Sequence, residues 1–539
     1  MLLPRFAGVC LGWCAPLALV AQAPVPPPSG VPASGVPVGS AAVEQREPGA
    51  DDGMRLVMSF DGLGASFRGP HGTAALRNPS DNSLAVGRRY VMQTVNSRLA
   101  IFDRQGVPRY GPVPTNTVFR GFGGACEQEL SGDAVVRYDQ LADRWLLVLP
   151  VFRKVAPRTS PPGARTAVLP VPPLAVPPLA GAAVAPVPVA APRGPEPADG
   201  AYAMCYAVSA TADPFGAWHR YEYTRPLFPD YPRPAVWPDG YYTPTSTGDE
   251  VIEKHVCVAD RARMLRGADA AEQCLIVPGV NFLNTSDLDG TRRPPAGAPN
   301  IIVAAGGTQL QGVIDADALQ SWRLYVDWRD HRRTRLEGPV SLPVAPYRYL
   351  CGGQLTSCVP QPGTERRLDA QGDKIMARLV YRRFRTHEAL VAVHAVNTAA
   401  GGGGVRWYEL RVGADRGLAL AQQGTFAPDR DFRWMASPAI DALGNIGIGY
   451  SFGGASHFPG QRFAGRSPAH APGTLGFREL RLADGGASQT TTLRWQDYTQ
   501  TAIDPVDDCT VWYVGDYLRA GDTAYSTRIS AVRMRGCGR

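Results

Sequence analysis

The sequence predicts an all-β fold, a β-propeller of six or seven blades in a single, disulfide-bonded domain. Three observations predict it. Short apolar runs recur from SLAVG at residue 83 to ISAVRM near the C-terminus, separated by turns rich in Gly, Asp, Pro and Asn. Helical periodicity is nearly absent, the stretch from Asp260 to Leu265 being the best local exception. A loose repeat also runs through the chain: DNSLAVGRRYVMQ, GDAVVRYDQLADRWLLV, YPRPAVWPDGYYTPT, APNIIVAAGG, QGDKIMARLVYR, MASPAIDALGNIGIGYS and YTQTAIDPVDDCTVWYV.

Taken in order, the first segment reads as a targeting sequence. Residues 1–23 carry one positive charge at Arg5, a short apolar run, and the small-residue pattern Ala21-Gln22-Ala23. That is the pattern of a cleaved secretory signal, so export to the periplasm or the medium is expected. Residues 24–54 are dominated by Pro, Gly, Ala and Val and read as a disordered leader before a propeller over 55–539. A second Pro/Ala-rich tract at about 155–200 has almost no charge or aromatics. Strand-like sequence on both sides makes it an insertion looping out of the folded unit, because proline removes ladder donors and breaks helices.

Eight cysteines follow the signal segment: Cys126, Cys205, Cys257, Cys274, Cys351, Cys358, Cys509 and Cys537. In an exported chain an even number argues for disulfides. Sequence alone does not fix their pairing. Cys351–Cys358 and Cys257–Cys274 are the short closures, and taking them leaves Cys126–Cys205 and Cys509–Cys537. Metal ligation by these thiols is the rival reading, without a Cys-x-x-Cys pair to support it.

Each repeat opens on a polar or small residue and continues with small apolar residues. Most then turn at Asp, Pro or Gly and resume as an aromatic-rich strand. Small side chains suit innermost strands converging on an axis, and aromatics suit middle strands, where diverging sheets leave more volume to fill. The alternative is a string of β-sandwich domains, against which no clean linker divides residues 60–537.

The turn in AIDPVDDCTVWYVGDY resembles the Asp-box of sialidase-like propellers, an acidic hairpin turn followed by Thr and Trp. YDQLADRWLLV and AIDALGNIGIGYS are similar at the matching position. Asp508 and Cys509 then stand roughly where the box has Asp and Gly. Residues 55–537 further resemble a group of exported bacterial proteins of uncertain function, through RW-x-DY, DP-x-x-x-CT-x-WY and D-x-x-GNI-x-x-GYS. The resemblance implies a propeller, a structural role for the box, and a carbohydrate-directed site elsewhere. By the sialidase plan, Arg233, Arg433 and Arg494 would imitate the arginines and Tyr498 the tyrosine. No Glu–Tyr arrangement accompanies them, so sialidase activity proper is not expected.

Propeller ligands sit at the axial mouth, where inner strands begin. Repeat phase puts Asn82, Ser83, Asp133, Tyr231, Arg233, Asn300, Asp373, Arg433, Trp434, Trp495, Asp497 and Tyr498 there. Of these, Asp133, Asp373 and Asp497 are the candidate catalytic carboxyls for glycosidic acid–base work. Arg233, Arg433, Trp434, Arg494, Trp495 and Tyr498 are the candidate substrate-binding residues. The structural reading of the same acids is a ring of salt bridges locking the blades, since an unpaired charge in a narrow channel is costly.

No cofactor is expected. NTSDLDG at 284–290 groups oxygen ligands that would suit Ca²⁺ but lacks the twelve-residue loop pattern, and a plain Asn/Asp turn is the alternative. His457, in a Gly-rich loop between Phe452 and Phe458, is the histidine most worth following. GGGGVRW lacks a Lys and a strand–helix context, and no Gly-x-Ser-x-Gly elbow occurs. The formal net charge of +7 is modest for 539 residues and forms no basic stripe, so no nucleic-acid partner is expected, nor a membrane span. Two functions remain: a secreted carbohydrate-active enzyme, a hydrolase or a lyase, or a non-catalytic propeller that binds a glycan or protein at the cell surface.

Overall fold

Strands pair into four-stranded antiparallel sheets throughout the computed structural model, which describes residues 43–74, 77–155, 165–168, 200–225, 227–246, 253–309, 314–353 and 357–537. These residues belong to one compact unit, Val36–Arg539. The expected signal segment and most of the leader lie outside the described residues. So does the insertion, except for a strand at Arg165–Val168 that pairs with Ala217–Arg225.

By antiparallel pairing the described strands fall into seven groups of four, here blades 1–7 from their inner strands outwards; parallel pairs link blades 4, 5 and 6, and the hairpins Arg68–Gly69/Gly72–Thr73 and Ser357–Gln361/Thr364–Asp369 stand outside them. Blade 1 is Ser83–Val86, Tyr90–Val95, Arg98–Asp103 and Pro108–Pro114. Blade 2 is Val135–Asp139, Arg144–Val155, Ala201–Ser209 and Ala217–Arg225. Blade 3 is Ala235–Val236, Tyr241–Thr245, Glu253–Ala259 and Glu272–Pro278. Blade 4 is Asn284–Leu288, Asn300–Ala305, Ala318–Tyr325 and Arg335–Pro343. Blade 5 is Leu379–Arg383, Glu388–Asn397, Gly403–Val412 and Leu418–Phe426. Blade 6 is Phe432–Ile440, Ile446–Gly454, His457–Arg466 and Leu480–Ala483. Blade 7 is Gln500–Ile503, Val511–Tyr517, Ser526–Met534 and, from the other end of the chain, Met54–Asp61.

The inner strands form a closed ring. Val136 N donates to Ser83 Oγ (3.0 Å), joining blades 2 and 1. Arg137 Nε reaches Pro234 O (2.8 Å) at blade 3, and Val236 N reaches Asp287 Oδ1 (2.9 Å) in blade 4. Ser286 and Leu379 pair in parallel register between blades 4 and 5. Arg382 Nη1 donates to Ile440 O (2.9 Å) in blade 6, and Thr501 N to Ser437 Oγ (2.9 Å) from blade 7. Gln500 Nε2 donates to Leu84 O (2.5 Å), which returns the ring to blade 1. Small residues such as Ala85, Ala235 and Ala439 sit on these strands, while Trp145, Trp407, Tyr450 and Trp512 fill the wider spaces on second and third strands.

Inner strands end in Asx turns: Leu141, Leu443 and Val506 donate their N–H to Asp139, Asp441 and Asp504 (3.0, 2.9 and 2.9 Å). The box-like turn of blade 7 differs from its expected alignment. Asp507, one residue earlier than expected, accepts from Cys509 N, Thr510 N and Thr510 Oγ1 (2.9, 2.8 and 2.7 Å). Asp508 takes the left-handed position with φ 55°. The Trp512 indole donates to Asp504 (3.0 Å), which ties the turn to the sheet.

All four disulfides form: Cys126–Cys205, Cys257–Cys274, Cys351–Cys358 and Cys509–Cys537. The short helix expected near Asp260 is Arg261–Met264, with Asp260 as its N-cap. The leader differs from expectation at its end. Glu44–Gln45 adds a parallel strand to the edge of blade 5 through backbone bonds from Thr425 and Ala427, so no apolar pattern marks it. NTSDLDG is not a turn but the inner strand of blade 4, and Arg378 engages both Asp287 (2.6 Å) and Asp289 (2.7 Å).

Candidate functional site

The segments entering the inner strands converge at one end of the axis, here the entry end. Their backbone is unusual at corresponding places: Asp81, Asp133, Tyr231, Gln371, Met435, Gln496 and Asp497 all have φ between 47° and 74°. Left-handed backbone at a non-glycine residue costs about 1–3 kcal/mol, and such conformations cluster where a site needs them. Here they aim side chains from blades 1, 2, 3, 5 and 7 at one another.

Five carboxyls result. Asp133 (7% exposed) hydrogen-bonds the side chains of Asp81 and Asp230. Asp497 accepts from Gln371 Nε2 (2.9 Å) and pairs with Arg494, whose Nε also lies 3.3 Å from Asp369. Asp369 accepts from Trp495 N (3.1 Å). Burial, then the neighbouring Asp497, pushes Asp81 well above the usual carboxylate range. Asp133 is pushed well above it by burial and then by Asp81. Asp369 rises to about 7, through burial first and Asp497 second. Burial and mutual repulsion therefore favour the neutral form within the Asp81–Asp133–Asp230 group more than in an exposed carboxyl.

Two tyrosines close the group. The Tyr231 and Tyr498 rings meet edge-on at 5.7 Å, both side chains are over nine-tenths buried, and neither hydroxyl has a hydrogen-bond partner. Burial raises both phenols well above their ordinary value, and the surrounding aspartates add to it. Lys374 lies over the Phe282 ring (4.1 Å) and donates to Gln371 Oε1 (2.5 Å). Arg494, a third exposed, and half-buried Asp230 connect the cluster with solvent.

The predicted residues separate into two groups. Asp133, Asp497, Arg494 and Tyr498 meet in this cluster. Asp373 lies beside it, held by Asn281 Nδ2 (3.0 Å) and Lys374 (3.3 Å). Arg233 stacks on Phe282 (4.9 Å) and donates to Ile375 O (3.2 Å), pairing with none of the three acids. Arg433 binds Asp429 and Glu479 (2.8 Å each), outside the cluster. Trp434 and Trp495 are fully buried against each other (6.2 Å), with the Trp495 indole donating to Ser451 Oγ (2.9 Å). Asn300 is on the second strand of blade 4, bonded to Ser286, because the repeat was one strand out of phase there.

Asp81, Asp230, Asp369, Gln371 and Lys374 complete the cluster without having been singled out. Asp81 and Asp230 each precede a residue that phase did identify, and that adjacency was the available signal. Asp369 is the last residue of the hairpin Ser357–Gln361/Thr364–Asp369, which belongs to no blade and so escapes repeat phasing. His457 sits exposed at a hairpin tip, 3.1 Å from Asp431. The one group of three potential metal ligands among the described residues is Cys257, Glu272 and Cys274, and its two thiols are spent in a disulfide.

No protein-family pattern and no curated protein sequence matches this chain. The solved structures it matches are distant. A protein of unknown function from Dyadobacter fermentans is 11% identical, with 90% of this chain and 100% of that chain covered, at a TM-score of 0.35. An ulvan lyase of a new polysaccharide lyase family is 10% identical over 88% and 95% of the two chains, at 0.35. A Trypanosoma rangeli sialidase is 11% identical over 59% and 55%, at 0.30. No helix among the described residues is long and apolar enough to cross a membrane, and four disulfides suit an oxidising compartment.

Proposed function

We propose that the entry end binds a glycan and that its carboxyls act on a glycosidic bond. The observation that carries this reading is the unequal setting of two acids in one cluster. Asp133 is buried against other carboxyls and keeps a proton to give, while Asp497 accepts from Arg494 and Gln371. A neutral acid beside a carboxylate is the pairing that protonates a leaving oxygen on one side and attacks or activates water on the other. Tyr231 and Tyr498 supply hydroxyls without partners for sugar hydroxyls, and Arg494 supplies a charged fork at the solvent edge. Asp373, held by Lys374, is assigned to positioning.

A panel of plant, algal and bacterial glycans incubated with the full chain tests the proposal, with products read by mass. The reading expects products from at least one neutral glycan and a loss of about a hundredfold or more in Asp133→Asn and Asp497→Asn. Product formation unchanged in both variants would overturn it. The near-complete burial of Asp81 and Asp133 favours a second reading, a binding propeller without cleavage. In that case the same panel shows saturable binding, weakened by Arg494→Ala, and no product.

A further inference from the structure

We propose that the opposite end of the axis is a second binding site, for the carboxylate or sulfate-ester groups of an acidic glycan. The turns leaving the inner strands of blades 4–7 enclose a depression of about 680 Å³ there, within the range of small-ligand sites. It is lined by Arg292 from blade 4, Arg382, Arg383, Arg385 and His387 from blade 5, and Asp508 from blade 7.

The charges do not cancel. Arg382 pairs with Asp508 and also donates to Ile440 O, so this pair is structural. Asp289, on the wall, is taken by Arg378 (2.7 Å) and by Ile440 N (2.9 Å). Arg383 donates to Arg293 O (2.9 Å). Among the described residues no carboxylate forms an ion pair with Arg292, Arg383 or Arg385, and Arg292 and Arg385 are exposed. Like charges held around one concavity repel, and a bound anion relieves that repulsion. Guanidinium forks match the paired oxygens of carboxylates and sulfate esters.

The remaining wall suits a sugar ring. Phe384 stacks on His387 at 4.7 Å and 23°, and the Arg382 guanidinium lies 5.9 Å from the Phe384 ring centroid. Phe384 is thereby held in the wall of the depression, where an aromatic edge suits the C–H side of a pyranose. Burial, then Arg411, holds His387 below its usual range, leaving a neutral ring beside Thr386 Oγ1 (3.0 Å) to bond sugar hydroxyls. The entry end gathers carboxyls and this end gathers cations, so the two sites select different ligands.

Calorimetric titration of the full chain with hexagalacturonate, its methyl ester, and a sulfated oligosaccharide of similar length tests the proposal. We expect at least one charged oligosaccharide to bind, the methyl ester to bind about tenfold or more weakly than the uronate if that is the ligand, and affinity to fall with added salt. Arg292→Ala/Arg385→Ala, both exposed, should weaken the charged ligand about tenfold or more, whereas Asp133→Asn should leave this binding unchanged and so separate it from the entry-end reading. Binding by neither charged oligosaccharide, or equal affinity in the Arg292→Ala/Arg385→Ala chain, would overturn it.

Discussion

Asp81 and Asp133 enter the axis from neighbouring blades, each with left-handed backbone, and their side chains hydrogen-bond one another. Adjacent carboxylates repel, and here burial and mutual repulsion favour the neutral form instead. The blade ring holds the arrangement in place: Asp81 N donates to Gln496 O (2.7 Å), and Asn96 Nδ2 to Asp81 Oδ2 (2.6 Å).

The contribution of these carboxyls to stability should therefore fall as pH rises, opposite in sign to that of buried His255 and His394, both held down to about 3. A carboxyl whose folded pKa lies above its unfolded value, near 4, binds more protons folded than unfolded between the two values. Its destabilising effect begins above the unfolded pKa and is complete above the folded one. For Asp369 and Asp516, both raised to about 7, the window is about pH 4 to 7, and for Asp81 and Asp133 it begins at the same point. Between pH 4.5 and 8 the Tm of the parent chain should fall relative to that of Asp133→Asn as pH rises. Parallel slopes for the two chains would count against the assignment.

Arg378 should act as a pin across the axis. It is buried, pairs with Asp287 and Asp289, and donates to Thr501 O (3.3 Å) in blade 7. Arg378→Ala leaves buried Asp289 without its ion-pair partner and Asp287 with Arg137 (3.4 Å) alone, a change worth about 3–5 kcal/mol. Urea unfolding should register that loss, whereas a change below about 1 kcal/mol would show the pairs to be dispensable.

Closure of the ring should depend on the N-terminal strand. Met54–Asp61 pairs with Ser526–Met534, and Asp61 also holds the Tyr517 hydroxyl (2.7 Å) and Arg519 (2.6 Å). Deleting residues 1–61 bares the edge Ser526–Met534, and exposed edges invite association. Light scattering should find oligomers or aggregate. A monomer that unfolds at the parent temperature would contradict this.

The blade 7 turn admits a smaller test. Trp512→Phe keeps most of the packing but removes the indole bond to Asp504, which also pairs with Arg104. The expected cost is about 1–2 kcal/mol by urea titration. An unchanged midpoint would mean that the indole bond contributes nothing to the turn.

Much of the fold was legible because small inner strands and aromatic second strands recur, and because short Cys separations left one economical pairing. Blade 4 was misread for the opposite reason. Its inner strand NTSDL is polar, since Asp287 holds Arg378 and Val236 N rather than packing apolar neighbours, so the apolar Asn300–Ala305 looked like the first strand. Within the site, Asp133, Asp497 and Tyr498 followed from phase. Arg433 and Trp434 share that phase yet serve other contacts, because repeat position places a backbone and leaves the direction of the side chain to its neighbours.

The proton held among Asp81, Asp133 and Asp230 is the feature on which the proposed chemistry rests, and infrared difference spectroscopy reads it directly. At pH 7 the carboxylic-acid carbonyl band of the parent chain, compared with Asp133→Asn, should show a neutral carboxyl that disappears in the variant. A parent spectrum at pH 7 without any neutral-carboxyl band would contradict the account.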